Sequence, residues 1–360
     1  MAYDLGNEDL DARLRALVSD ASPNDNEDLI EELITTVLKL HRDSPTRGDL
    51  KLISTAVKEM RYSNLVFSRH DEPKVTIYGS ARLGEDDPNY QLTVEFARLM
   101  AHYGWGVITG AGPGIMEAGN RGAGKENSFG VNIRLPFEGE SNGYVDPDRT
   151  VNFKYFFTRK LAFVKESHAF AILPGGFGTL DEAFELLTLV QTGKSDLHPI
   201  VLMEAEGSGY WQPLLKFIHE VQLESGLISE SDLSLFLHTN DAEEARSEIT
   251  RFYSNYHSQR YHQGRLILRL RKAPNETELA MINSEFNDII DDGSIELTEP
   301  TVGEVEDGDA LDCDRITFLF DRSSYGRLRQ LIDELNQIAD LPETTKIPEP
   351  MGEEQAERPW

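Results

Sequence analysis

One stretch, Ala169–Gln191, constrains the fold more than any other part of the chain. A short apolar run, Ala169–Leu173, predicts a buried strand, and Pro174-Gly175-Gly176 breaks it. Gly178-Thr179 then opens a run whose apolar residues recur at helical spacing. A strand, a glycine loop and a helix in this order direct backbone N–H groups and the positive end of the helix dipole at one point. The stretch therefore predicts a phosphate-binding loop.

Composition narrows the class of protein. A formal net charge of −28 disfavours a nucleic-acid partner, because phosphate backbones are bound by clustered Lys and Arg. The single cysteine, Cys313, excludes an internal disulfide and a multi-thiolate metal site. No apolar run approaches the ~20 residues of a membrane span, and the N-terminus lacks the features of a signal peptide. We therefore expect a globular protein of the cytoplasm with no membrane partner.

The pattern of elements predicts an α/β fold, namely a doubly wound Rossmann-like parallel sheet with an N-terminal helical segment and a small C-terminal α+β appendage. The predicted boundaries are 1–70 for the helical segment, 71–258 for the nucleotide-binding domain and 259–340 for the appendage. The Pro- and Glu-rich end, 341–360, is expected to be disordered.

Alternating strands and helices define the central domain. The predicted strands are Val75–Tyr78, Gly106–Thr109, Phe129–Ile133, Ala169–Leu173 and Ile200–Met203, and the predicted helices are Tyr90–His102, Ile115–Gly122, Thr158–Glu166 and Tyr210–Gln222. In the appendage we expect strands at Arg265–Arg271 and Ile316–Phe320, and helices at Glu276–Ile290 and Tyr325–Ala339. Ligands of such sheets lie beyond the carboxyl ends of the strands. Three loops there, Gly79–Arg82, Gly110–Gly114 and Pro174–Thr179, are therefore expected to line one cleft.

The Gly110–Gly114 loop does not match a dinucleotide fingerprint. Gly110 and Gly112 would require a third glycine at the position of Ile115, and no acidic residue follows the next strand to bind a ribose. The spacing disfavours NAD and FAD and favours a mononucleotide or a sugar phosphate.

Charged residues near the predicted cleft allow two interpretations each. Arg159 and Lys160 follow Thr158, a candidate N-cap, where cations oppose the helix dipole. They are either solvated surface charges or, as we favour, partners of an anion or a carboxylate. Thr179 and Glu182 match a capping box, which competes with a catalytic role for Glu182. The nine histidines show no metal-ligand spacing.

The motif Pro174–Glu182, with Arg159-Lys160 upstream, resembles the Lonely Guy (LOG) family of cytokinin-activating nucleoside 5′-monophosphate phosphoribohydrolases, long labelled lysine decarboxylases. The similarity includes Gly79–Arg82 and Gly110–Glu117 and spans roughly residues 70–255. The extra segments at both ends are similar to those of the longer bacterial relatives. No lysine has a context that suggests a pyridoxal Schiff base, so decarboxylation is not supported.

The resemblance implies that Arg159 and Glu182 are the catalytic residues. The predicted substrate-binding residues are Ser80, Gly110, Gly112, Gly114, Lys160, Gly175, Gly176, Phe177, Gly178, Thr179, Asp181 and Thr188. Ala111 interrupts a loop that is often all glycine in the family, which would tighten the cleft. The resemblance also implies at least a homodimer, and neither a metal nor an organic cofactor is needed.

The chemistry implied is hydrolysis of the N-glycosidic bond of a purine nucleoside 5′-monophosphate, either AMP or an N6-modified, cytokinin-type AMP, as in an AMP nucleosidase. The products would be the free base and ribose 5-phosphate. The alternative is a non-catalytic nucleotide-binding or carrier protein on the same fold. The pair Arg159 and Glu182 separates the two, because a binding module needs the glycine loops but not this pair. Which nucleotide is the physiological substrate stays open.

Overall fold

A computed structural model of the protein describes residues 4–21, 26–133, 142–344 and 347. The chain divides into two compact units, 1–58 and 59–360. Most of the predicted acidic tail, 341–360, lies outside the described residues. Among the described residues, no helix is both long and apolar enough to cross a membrane.

The first unit is helical. It contains α1 (Glu8–Ala21), α2 (Glu27–Arg42) and the first part of α3 (Arg47–Phe67). Leu14 and Val18 of α1 are buried, whereas the apolar residues of α2 are largely exposed. Asn26 is the N-cap of α2 but makes no side-chain capping bond within the described part of the chain.

The second unit is built on a parallel sheet of seven strands in the order β4-β3-β2-β1-β5-β6-β7. The strands are β1 (Lys74–Tyr78), β2 (Gly106–Thr109), β3 (Ser128–Ile133), β4 (Thr150–Phe153), β5 (Ala169–Ile172), β6 (Ile200–Met203) and β7 (Leu237–Thr239). Most of their residues are buried on both faces, as expected for a parallel sheet covered by helices. The predicted doubly wound α/β fold is therefore confirmed.

Helices cover this sheet and connect its strands. They are α4 (Pro88–His102), α5 (Ile115–Ala123), α6 (Phe156–Lys165), α7 (Phe177–Gln191), α8 (Gln212–Phe217), which continues as a π-helical segment Ile218–Leu223, and α9 (Ala242–Phe252). The edge strands β4 and β7 have no counterpart among the strands that the sequence predicts. They are only four and three residues long, and each contains polar residues, so periodicity does not reveal them.

A second, antiparallel sheet follows in the order β10-β11-β9-β8. Its strands are β8 (Tyr256–His262), β9 (Arg265–Leu270), β10 (Glu296–Leu297) and β11 (Asp314–Phe318), and its helices are α10 (Glu276–Glu285), α11 (Val302–Asp307) and α12 (Tyr325–Ala339). The additional α+β element predicted at the C-terminal end is thus present. The sequence analysis missed β8, the hairpin partner of β9, because four consecutive residues of β8 are polar, namely His257, Ser258, Gln259 and Arg260.

A buried ion cluster fixes this second sheet. Glu304, fully buried, accepts hydrogen bonds from Arg269 Nε at 2.8 Å and from Arg315 Nε at 3.2 Å. Burial alone would raise the pKa of Glu304, but hydrogen bonds from Thr301 and Arg269 outweigh it and lower the pKa to about 2. Glu304 is therefore ionised and paired, as a buried carboxylate must be.

Candidate active site

A large cleft opens beyond the carboxyl ends of the parallel strands. It has a volume of about 830 Å³ and is bordered by the loops that follow β1, β2 and β5. The sheet order reverses between β1 and β5, so the cleft lies at the topological switch point, where doubly wound sheets bind ligands. The predicted site residues that line it are Ser80, Gly110, Gly112, Arg159, Gly175, Gly176, Phe177, Gly178, Thr179, Asp181 and Glu182.

The loop after β5 presents a helix N-terminus to the cleft. Helix α7 begins at Phe177, and its N-cap, Gly176, makes no side-chain capping bond within the described residues. The capping box predicted for Thr179 and Glu182 is therefore wrong, because Thr179 is the third residue of the helix rather than its cap. Glycine has no side chain that could satisfy the first amides of α7. These amides are left for an anionic ligand.

Close approach explains two of the glycines. A Cβ at Gly110 would lie 2.5 Å from Nη2 of Arg159, so only glycine lets this guanidinium pass beside the loop. Gly114 has a φ of +72°, and a Cβ there would lie 2.4 Å from the carbonyl oxygen of Ser80. Gly114 lies outside the residues that line the cleft. It lets the loops after β1 and β2 pack together.

The resemblance implied that Ala111 would tighten the cleft, but in the structure it does not. It is buried, with a φ of +57°, and lies outside the cleft lining. Its methyl group would be 2.9 Å from a Cβ placed on Gly130 of β3, so it points toward the sheet. The Ala111 methyl group fits here because Gly130 has no side chain.

Arg159 reaches the cleft from the second turn of α6. This helix begins at Phe156 with Tyr155 as its N-cap, so the prediction of Thr158 as N-cap is wrong. The Thr158 hydroxyl instead donates to Glu59 Oε2 at 2.6 Å, and Glu59 Oε1 accepts from the amide of Lys154 at 2.7 Å. The conflict with the helix dipole largely disappears, because the effect falls off within the first turn.

Two contacts orient the Arg159 side chain. Its Nε donates to the carbonyl oxygen of Val131 at 2.9 Å, and its guanidinium carbon lies 5.1 Å from the centre of the Phe163 ring. The charge of Arg159 also lowers the pKa of the Glu182 carboxyl.

Glu182 is the buried carboxyl of the site. Only 7% of the residue is exposed, although it lines the cleft. Burial raises its pKa from the ordinary 4.5 to about 7, against the opposing influence of Lys160 and Arg159. A carboxyl with this pKa exchanges a proton near neutral pH, which is the property of a general acid or base.

Gly114, Lys160 and Thr188 are the predicted site residues that lie outside the cleft lining. Lys160 forms ion pairs with Asp181 Oδ2 at 2.9 Å and Glu185 Oε2 at 2.8 Å. Burial alone would lower the pKa of Lys160, but hydrogen bonds to Glu185 and Asp181 raise it, so the amine stays protonated. Thr188 is exposed, and its hydroxyl donates to the carbonyl of Phe184 within α7. Lys160 therefore binds the acidic residues Asp181 and Glu185 of α7. Thr188 lies outside the cleft lining.

Sequence reasoning missed two tyrosines in the cleft. Tyr78 ends β1, directly before the Gly79–Arg82 loop, and Tyr210 follows β6. The Tyr210 hydroxyl donates to the carbonyl of Gly175 at 2.7 Å and so steadies the phosphate-binding loop. The position of Tyr78 beside a predicted ligand loop was an available signal. Tyr210 gave none, because its loop has no phosphate-binding motif.

A smaller cavity of about 400 Å³ lies beyond the carboxyl ends of β6 and β7. Its buried carboxylate, Glu204, accepts from the amide of Tyr210 at 2.5 Å and lies 2.9 Å from Nε2 of His238. These polar groups are paired with one another, and they connect this cavity to the larger cleft through Tyr210. Among the described residues, no group of three or more His, Cys, Asp or Glu side chains is arranged to hold a metal ion.

Fold and cleft together define a doubly wound α/β protein that presents glycine loops, a helix N-terminus and a buried carboxyl to a ligand at the switch point. A family model described as "Possible lysine decarboxylase" matches residues 113–249. This region contains both Arg159 and Glu182.

Curated relatives match part of the chain. The cytokinin riboside 5′-monophosphate phosphoribohydrolase LOG1 of Arabidopsis thaliana is 40% identical over 86 residues, which are 24% of this chain and 38% of the relative. A probable enzyme of the same name, LOGL3 of Oryza sativa subsp. japonica, is 34% identical over 121 residues, 33% of this chain and 52% of the relative. The chain thus spans about half or less of the length of these relatives. The resemblance to the LOG family is confirmed over this region.

Among solved structures, the molybdenum cofactor carrier protein of Chlamydomonas reinhardtii is similar at 19% identity and a TM-score of 0.33. The similarity covers 48% of this chain and 93% of that one.

Proposed function

We propose that this protein hydrolyses the N-glycosidic bond of a purine nucleoside 5′-monophosphate, AMP or an N6-modified AMP, to the free base and ribose 5-phosphate. The observation that carries the proposal is Glu182, a buried carboxyl with a pKa of about 7 in a cleft whose loops suit a phosphate. The printed function of the curated relatives, phosphoribohydrolysis of a riboside 5′-monophosphate, supports the same reaction.

The phosphate would bind at the first turn of α7. The amides that follow Gly176 and the positive end of the helix dipole favour two negative charges there. The guanidinium of Arg159, beside Gly110, adds a positive charge at the opposite loop. In this proposal the ribose lies between the glycine loops and Glu182.

Bond cleavage develops positive charge on the ribose, as in glycoside hydrolysis. The ionised Glu182 would stabilise this charge and accept a proton from the attacking water. The water oxygen forms a bond to the anomeric carbon, the carbon–nitrogen bond breaks, and its electron pair leaves with the base, which takes up a proton. Arg159 and Lys160 favour the ionised form of Glu182 and so keep it competent.

The lysine decarboxylase description of the family model finds little support in the cleft. Among the described residues that line it there is no lysine. Lys160, the nearest candidate in the sequence motif, is held protonated in two ion pairs, whereas a Schiff-base lysine must lose its proton.

Incubation with AMP, followed by chromatography for adenine and an assay for ribose 5-phosphate, tests the proposal. The matched control is Glu182→Gln, which should bind AMP but release no adenine. Binding of AMP by the parent protein without any release of adenine would instead favour the alternative, a nucleotide-binding or carrier protein.

A further inference from the structure

The Tyr78 side chain is buried at the floor of the cleft. Its ring contacts the Phe163 ring edge-on at a centroid distance of 5.0 Å and lies parallel to the Phe170 ring at 6.4 Å. Arg159 rests against the same Phe163 ring. These contacts fix the tyrosine on the face of the sheet that carries α6 and α7.

The Tyr78 hydroxyl has no hydrogen-bond partner among the residues that the structure describes. Among the described residues that line the cleft, Tyr78 is the only one with such a buried, unpaired side-chain atom. Burial of an unpaired hydroxyl is costly, so buried polar groups in folded proteins are nearly always paired. An unpaired hydroxyl in a ligand cleft is explained if the ligand supplies the missing partner.

The surroundings of this hydroxyl define its role. Its pKa is raised well above the ordinary value, first by burial and then by the charge of Glu182, so the group is a neutral O–H donor. It lines the same cleft as Glu182, the carboxyl that would act on the anomeric carbon. The ribose hydroxyl next to the anomeric carbon is the 2′-hydroxyl.

We propose that Tyr78 binds the ribose 2′-hydroxyl of the nucleotide and thereby distinguishes ribonucleotides from 2′-deoxyribonucleotides. This inference rests on the proposed function. In glycoside hydrolysis, hydrogen bonds to the hydroxyl beside the anomeric carbon strengthen in the transition state. The Tyr78 bond should accordingly contribute more to kcat than to KM.

Tyr78→Phe tests the proposal because it removes one oxygen and keeps the ring contacts with Phe163 and Phe170. For AMP, kcat/KM should fall by about 10- to 100-fold, mainly in kcat. For 2′-deoxy-AMP it should change by less than about threefold, so the preference of the parent for AMP should nearly vanish. The melting temperature should not decrease, since no folded-state hydrogen bond is lost.

Tyr90→Phe is the matched control. Tyr90 is also buried, but its hydroxyl bonds to Glu117 at 3.3 Å outside the cleft, so this change should leave the AMP preference intact. Equal losses on AMP and 2′-deoxy-AMP, or an unchanged AMP rate, would overturn the role of Tyr78. If the parent protein releases no adenine, the proposed function fails, and calorimetric binding of the two nucleotides to parent and Tyr78→Phe protein still tests the inference.

Discussion

Replacing Glu182 by Gln keeps the size of the side chain and removes one buried ionisable group. Because burial raises the pKa of Glu182 from 4.5 to about 7, ionising it in the folded protein costs about 3 kcal/mol more than in the unfolded chain. Between these pH values the folded protein retains a proton that the unfolded chain releases. The native protein therefore loses stability as the pH rises through this window, and the Gln variant does not.

Urea unfolding of the parent and of Glu182→Gln, at pH values from about 4.5 to 8, measures this difference. The free energy of unfolding of the variant, minus that of the parent, should grow by up to about 3 kcal/mol across the range. All other titrating groups are shared by the two proteins and largely cancel. A difference that stays constant over the range would refute the assignment of a raised pKa to Glu182.

The same group sets the pH dependence of activity. For the parent, kcat/KM on AMP should fall as the pH drops below about 7, because the carboxylate becomes protonated. Glu182→Gln should be slower by a factor on the order of 10²–10⁴. The matched control, Glu185→Gln, removes a carboxylate outside the cleft lining. It should retain activity and move the midpoint to lower pH, since the charge of Glu185 raises the pKa of Glu182.

Four further outcomes are expected. Adenosine should be a worse substrate than AMP by on the order of 10³ in kcat/KM, because it lacks the phosphate. Ribose 5-phosphate should compete with AMP, whereas adenine should compete only weakly. Equal kcat/KM values for adenosine and AMP would contradict a phosphate site. Tyr210→Phe frees the carbonyl of Gly175 and should raise KM for AMP by about 3- to 10-fold, with the melting temperature nearly unchanged. Glu304→Gln removes the buried negative charge that pairs with Arg269 and Arg315 and should lower the free energy of unfolding by about 3 kcal/mol, as urea titration would show. Sedimentation should find at least a homodimer, as the family resemblance implies, and a compact monomer at micromolar concentration would remove that expectation.

The sequence by itself determined the fold class and the location of the cleft. Alternating strand and helix patterns require parallel strands, and the loops at their carboxyl ends then meet at one edge of the sheet. The order of elements therefore brought Gly79–Arg82, Gly110–Gly114 and Pro174–Thr179 together without any tertiary information. The motif Pro174–Glu182 is short and contiguous in the chain, so it can be recognised from the sequence alone.

Only the tertiary structure decided which side chains line the cleft and which ones support it from outside. Lys160 is adjacent to Arg159 in the chain, yet it faces Asp181 and Glu185 while Arg159 faces the cleft, because successive helical residues point in different directions. The N-caps of α6 and α7 lie three residues earlier than predicted, at Tyr155 and Gly176 instead of Thr158 and Thr179. The raised pKa of Glu182 depends on burial by residues distant in sequence, and no local pattern encodes it.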